Sequence, residues 1–207
     1  MQHWPAALAI LAALGLYFLL PIQLALGPRW LIPILEATLL LVLYLVRAYR
    51  RRAEEAEVRL LVFAVIALLN LANVVSIALL VDDVLFGGIT RGRSLLYGGL
   101  SVWLTNVIVY GLWFWQLDRG GPLARVEGRE RYPDFQFPQM VSPETAQPGW
   151  SPAFFDYLYV SLTNAAAFSP TDTMPLSRAA KALMSAESLI SIVTVAVVAA
   201  RAVNILH

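Results

Sequence analysis

The sequence predicts an all-α integral membrane protein with about five transmembrane helices and a short re-entrant helix and loop between the last two. Composition and pattern carry that reading. Of 207 residues, 59% are hydrophobic and only 14% charged, and the mean hydropathy is +0.67, too apolar for a domain surrounded by water. The 15 basic residues gather near the ends of apolar runs instead of covering a face, which is where topology determinants stand. A spanning helix needs roughly 20 mostly apolar residues, and five such runs occur, at 5–26, 31–46, 58–80, 95–115 and 179–205.

The same composition removes function classes. A net charge of +1 gives no footprint for nucleic acid. With no cysteine, there are no disulfides, thiolate metal sites or thiol nucleophiles. The two histidines, His3 and His207, lie at the termini, away from any constellation for acid–base work. No catalytic residue, metal ligand or cofactor is expected.

Taken in order, the first run has no Lys or Arg ahead of it, and Gly27-Pro28-Arg29 leads straight into more apolar sequence; it reads as a retained helix, not a signal peptide. Glu36, Asn70, Asn73 and Asn106 lie within or at the edges of runs, where polar groups face neighbouring helices. Interhelical hydrogen bonds and a transport role are both open to them. Residues 1–93 form a scaffold of about three helices, and 94–207 a second region with an outer helix at 95–117.

Residues 118–152 are the one long polar segment, with prolines at 122, 133, 138, 143, 148 and 152. That density argues against helix and for an extended loop on the membrane face. Tyr132, Phe135, Phe137 and Trp150 within it either dock the loop or form an interfacial aromatic belt. Next, 153–167 is apolar and helical in pattern but too short to cross a bilayer, and it stops at Phe168-Ser169-Pro170-Thr171-Asp172. A short helix, an irregular stretch and a long helix at 177–206 predict a re-entrant hairpin. Irregular backbone at membrane depth is tolerated only when buried in protein or lining an aqueous cavity.

These residues resemble the pore domain of tetrameric, voltage-gated-like potassium channels. Leu158-Tyr159-Val160-Ser161-Leu162-Thr163 is similar to the family's pore helix, Asp172-Thr173-Met174-Pro175 to the Asp-Ile-Thr-Pro that closes its filter, and Glu187-Ser188-Leu189-Ile190 to its Glu-Ala-Leu-Ile. Arg178 falls near the family's arginine, and Ala199-Ala200-Arg201-Ala202-Val203 near the end of its inner helix. The resemblance covers about half the chain. It implies a pore helix and filter-like loop at 153–175, supported by Thr163, Asn164, Arg178, Lys181 and Glu187, a homo-tetramer around a central pore, and a small inorganic ion as cargo.

The filter departs from that family. In place of Thr-Val-Gly-Tyr-Gly stand Ala167, Phe168, Ser169, Pro170 and Thr171. Both glycines and the threonine hydroxyl ring are gone, and Pro170 removes a backbone donor, so a stack of carbonyl rings selective for potassium is not expected. The expected pore mouth is instead a hydroxyl-lined one with Asp172 as an electrostatic ring and Phe168 as an apolar constriction. Asp172 could equally cap a turn or pair with Arg178 or Lys181. Glu187 is a functional candidate by depth, or forms a salt bridge to a neighbouring helix. The inner helix has neither Gly nor Pro between 179 and 206, so no hinge is expected there.

No run carries arginine at every third position, and three runs, not four, precede the outer helix. A voltage sensor is therefore not expected. Arg47, Arg50, Arg51, Arg52 and Arg59 should be cytoplasmic, which places the 118–152 loop on the same side, whereas the resemblance implies a pore loop entering from outside. Either the hairpin is inserted in inverted orientation or one run, the first with its Pro21, does not cross. Three function classes follow. The first is a channel-like protein with an atypical filter; the second is a non-conducting channel-fold scaffold or sensor that uses the proline-rich loop as its partner surface. The third is a transporter or enzyme built on Asp82 and Asp83 or the Asp134 region. The expected setting is the lipid bilayer of a prokaryotic inner membrane, the chain being small and without soluble domains.

Overall fold

A computed structural model describes residues 4–25, 27–28, 30–49, 55–87, 92–129, 132–167 and 172–205. They are mostly helical: α1 (Trp4–Leu19), α2 (Leu31–Tyr49), α3 (Glu55–Asp82), α4 (Gly92–Leu117), α5 (Pro122–Glu127), α6 (Pro138–Val141), α7 (Phe154–Ala167) and α8 (Arg178–Ile205). Two short strands, β1 (Phe135–Gln136) and β2 (Met174–Pro175), depart from the all-helical expectation. Among the described residues three stretches are long and apolar enough to cross a membrane, Glu57–Phe86, Leu95–Glu127 and Arg178–Ala200; Pro5–Leu19 and Leu31–Val42 are shorter apolar helices.

The first helix is shorter than the run that predicts it. Proline restrains the residue before it and offers no N–H, so α1 closes at Leu19 and a tight turn, Ile22–Leu24, follows Pro21. Its 16 residues give about 24 Å of helix, against a hydrocarbon core of about 30 Å. The third helix runs on past its predicted end into a π turn at Asp83–Gly87.

Contacts divide the chain into two compact units, residues 13–105 with 197–207, and residues 1–12 with 106–196. In the first, α2 packs along α3. The inward stripe of α3 is Val65, Leu69, Ala72, Ser76 and Leu80, all buried and spaced by three and four residues as one helix face requires. Ala13, Tyr17, Leu20, Asn73 and Thr105 help line a small cavity there.

The second unit holds the resemblance-bearing residues. The second half of α4 is buried nearly all round, with Asn106, Val107, Val109, Tyr110, Leu112 and Phe114 each less than 5% exposed. A Cβ built on Gly111 would meet the Leu158 Cα at 3.1 Å, so the missing side chain sets how closely α7 approaches α4. On α8 the buried stripe is Ala180, Met184, Glu187, Ser191 and Thr194, and it is polar at its centre.

The proline-rich segment is not the extended loop that its composition predicts. Pro122, Pro138 and Pro143 each open a helical turn. At the first position of a helix the absent N–H would be unpaired anyway and the fixed φ is already helical, so proline opens turns here instead of preventing them. The segment also pairs: Phe135 faces Pro175 and Gln136 faces Met174 in an antiparallel ladder, and Leu176 N–H donates to the Asp134 carbonyl at 2.8 Å. Phe135 and Phe137 are buried, whereas Tyr132 is 79% exposed.

Candidate functional site

At the centre of this unit three helices contribute polar side chains to one buried cluster. α7 presents Ser161 and Asn164 from adjacent turns of the face it buries, and α8 presents Glu187. The Asn164 amide donates to Glu187 Oε2 at 2.7 Å and to the Met184 carbonyl at 3.0 Å, and its own oxygen accepts from the Ser188 hydroxyl at 3.2 Å. All the amide's polar atoms are engaged. The Ser161 hydroxyl donates to the Val107 carbonyl of α4 at 2.7 Å and is also bonded to Glu187 Oε1. A serine hydroxyl has one proton, and here it lies between two acceptor oxygens; a neutral Glu187 carboxyl, donating through Oε1 and accepting through Oε2, satisfies every partner. One turn further, the Asn106 amide donates to the Glu187 carbonyl at 3.3 Å and to the Ser191 hydroxyl at 3.1 Å.

Glu187 and Asn164, both singled out in the sequence, thus meet directly. The partners of Glu187 on the neighbouring helix are a hydroxyl and an amide, not the cation of a salt bridge. Thr163, two residues from Ser161, is not in the cluster: its hydroxyl bonds back to the Tyr159 and Val160 carbonyls at 2.9 and 3.0 Å. Ala167 is exposed at the end of α7, and Phe168, Ser169, Pro170 and Thr171 lie outside the described residues. Asp172 is exposed, and its carboxylate accepts from the Thr173 hydroxyl at 3.2 Å. Arg178 and Lys181 are exposed in the first turn of α8, which Ser177 caps by accepting Ala180 N–H at 3.1 Å.

A second polar centre, missed in the sequence, fastens the loop to α7. Asp118 is fully buried at the end of α4. One carboxylate oxygen accepts the backbone N–H groups of Asp134 and Phe135 at 2.8 and 3.4 Å, and the other accepts the Tyr157 hydroxyl at 2.6 Å. The chain reaches this geometry through a left-handed turn: Arg119, Gly120 and Gly121 have φ of 49°, 75° and 100°. Gly121 needs to be glycine twice over, since a Cβ there would stand 3.2 Å from Gln116 Oε1. The non-glycine Arg119 is held by its N–H donating to the Asp134 carboxylate at 3.0 Å.

Arg125 closes the arrangement. It donates to the Trp115 and Asp118 carbonyls at 2.7 and 2.8 Å, capping the carbonyl end of α4 with a cation, and its guanidinium stands 5.1 Å from the centre of the Tyr157 ring. Burial first, and then the neighbouring Asp118 charge, push the Tyr157 phenol above its ordinary range, with Arg125 opposing them. Phe135 and Phe137 meet the Tyr157 ring edge-on at 6.2 and 5.3 Å. The signal available in the sequence was an aspartate placed directly after an apolar run and before Arg-Gly-Gly, but nothing local to it names Tyr157 or residue 134 as partners.

No family model matches the chain, and neither does any curated protein or solved structure.

Proposed function

We propose that this chain is one subunit of a channel-type membrane pore, with five crossings and a re-entrant hairpin made of α7 and residues 168–176, passing a small ion without potassium selectivity. The observation that carries this reading is the Ser161–Asn164–Glu187 clamp. It ties a helix of 14 residues, about 21 Å long and too short to cross, to the long helix on each side of it. Such a helix, pinned at mid-length and followed by a chain that returns through β2 into α8, is what a pore loop requires. Of the membrane-crossing window in α8 only 22% is buried within one chain, which leaves Leu189, Ile192, Val193 and Val195 for lipid or for further copies. Four copies around an axis would place residues 167–172 at its mouth.

Orientation follows from counting crossings. α3 and α4 both lie between the arginines at 47–59 and the loop at 118–152, so those two segments belong to the same aqueous side whether or not α1 crosses. By the positive-inside rule that side is the cytoplasm, and the hairpin then enters the membrane from the cytoplasm. A non-conducting scaffold is the second reading, favoured by Tyr132 and Val141, 79% and 64% exposed on the loop, as a partner surface. The transporter or enzyme reading loses its Asp134 centre, because that carboxylate already holds the Arg119 turn.

Planar-bilayer recording with substituted salts separates the readings. Single-channel currents whose reversal potential moves in Asp172→Asn, with conductance altered in Phe168→Ala, are the expected result. Silence of wild type and both variants in every salt, with insertion verified, would transfer the assignment to the scaffold.

A further inference from the structure

We propose that Glu36 is a proton-binding site within the membrane, independent of the pore. α2 turns a narrow stripe inward on which Ile32 and Glu36 sit one turn apart, 1% and 0% exposed, while Ile34 and Leu35 between them are 54% and 43% exposed. A carboxyl therefore occupies a position that the helix otherwise gives to isoleucine. Neither of its oxygens has a hydrogen-bond partner among the described residues.

Among the described residues no cation answers it. Residues 5–19 of α1, 60–81 of α3 and 95–117 of α4 contain no Asp, Glu, Lys or Arg. The described charged side chains of this unit include Glu57, Arg59, Asp82 and Asp83, at the ends of α3; those of Arg29, Arg47 and Arg93 lie outside the described residues. Arg201 of α8 belongs to the same unit, and its side chain lies outside the described residues. Tyr17, Tyr97 and Tyr110 complete the titratable groups in these stretches of α1 and α4. What α3 offers from its buried face is uncharged: Asn70 Oδ1 and Asn73 Nδ2, themselves without partners, and a Ser76 hydroxyl already bonded to the Ala72 carbonyl.

Burying an ionised carboxylate with neither counter-ion nor donor is far more costly than burying a carboxylic acid. The ligand that removes the charge is a proton. Glu187 makes the comparison, since its carboxyl is held by Ser161 and Asn164, while no described residue holds Glu36. Access is short: Glu36 lies five residues into α2, about 8 Å along the axis from Leu31, so the proton can exchange with one aqueous side without traversing the bilayer.

Infrared spectroscopy of the whole protein in lipid vesicles tests this. At neutral pH the wild type should show neutral carboxylic acid absorption with two components, because Glu187 is also held as a neutral carboxyl; Glu36→Gln should lose one component, and Glu187→Gln should lose the other and keep the first. The component lost in Glu36→Gln should downshift in D2O and convert reversibly to carboxylate absorption as pH is raised. Glu36→Asp should keep an acid band at a shifted position, which separates loss of the acid from loss of the fold, and circular dichroism of each variant checks helix content. If Glu36→Gln instead removes a carboxylate band, Glu36 is ionised and the proposal fails. It fails equally if the component lost in Glu36→Gln is unmoved in wild type by D2O and by pH, because the proton is then not exchangeable.

Discussion

The Tyr157 hydroxyl donates to the buried Asp118 carboxylate at 2.6 Å, joining the first turn of α7 to the end of α4, 39 residues earlier in the chain. Asp118 accepts two backbone N–H groups besides, so a single side chain fixes the end of α4, the start of β1 and the start of α7. Hydrogen bonds to a charged group contribute about 1.5–3 kcal/mol each. Tyr157→Phe removes one and leaves the ring packing, and it should lower stability by about 2 kcal/mol. Asp118→Ala strands three donors in a buried site and should lower it by about 4 kcal/mol or more. Thermal melts followed by circular dichroism in mild detergent rank the two; equal and negligible shifts would mean that the loop is not fastened here.

Alkali should loosen the same joint. Because burial raises the Tyr157 phenol above its unfolded value, the folded chain holds the phenolic proton more tightly than the unfolded chain. The associated stability is complete below the unfolded tyrosine pKa of about 10 and is lost as pH rises beyond it. Melting temperature should fall more steeply above about pH 10 in wild type than in Tyr157→Phe. Parallel curves would refute the assignment to this residue.

The Glu187 cluster makes a different demand. A glutamine at that position can accept from Asn164 and donate to Ser161 as a neutral carboxyl does, so Glu187→Gln should melt within about 1 kcal/mol of wild type, whereas Glu187→Ala leaves Ser161 and Asn164 unpaired and should lose about 2–4 kcal/mol. Ser161→Ala should fall between them. A Glu187→Gln variant as damaged as Glu187→Ala would show that the carboxylate charge, and not the hydrogen-bond set, is what the site uses.

The sequence displayed what depends on periodicity and hid what depends on chain return. Apolar runs located α3, α4 and α8 to within a few residues, because a helix's burial pattern is written in its own spacing. The short helix at 154–167 was legible for the same reason; Glu187 stood out as an ionisable residue deep in an apolar run, whereas Asn164 was marked only by the family resemblance. Pairing of residues 135–136 with 174–175 could not be read, since two-residue strands carry no period and their register is set by Asp118 and the turn at 119–121. Pro21 signalled the early end of α1, although the apolar count ran past it to Leu26. Ser161 looked like one more letter of a helical pattern; only the approach of Val107 and Glu187 gives its hydroxyl a task.

That approach rests on Gly111. A side chain there would press on the Leu158 backbone at 3.1 Å, and backbone within a helix cannot swing aside as a side chain can. Gly111→Ala forces α4 and α7 apart by a few tenths of an ångström, stretching the Ser161 bond to the Val107 carbonyl one turn away. The gain in helix propensity from replacing glycine is about 1 kcal/mol, and overpacking opposes it by about 1–3 kcal/mol, so the net change in Gly111→Ala should be small and unfavourable. Gly111→Val adds two branched methyl groups and should lose several times as much stability while leaving the helix content of the isolated α4 sequence unaltered. Melting curves of the two variants, with Gly15→Ala as a reference where a Cβ meets nothing within 4 Å, check the order. If Gly111→Val melts with wild type, α7 does not rest on α4 at this glycine, and the clamp around Glu187 must be held by other contacts.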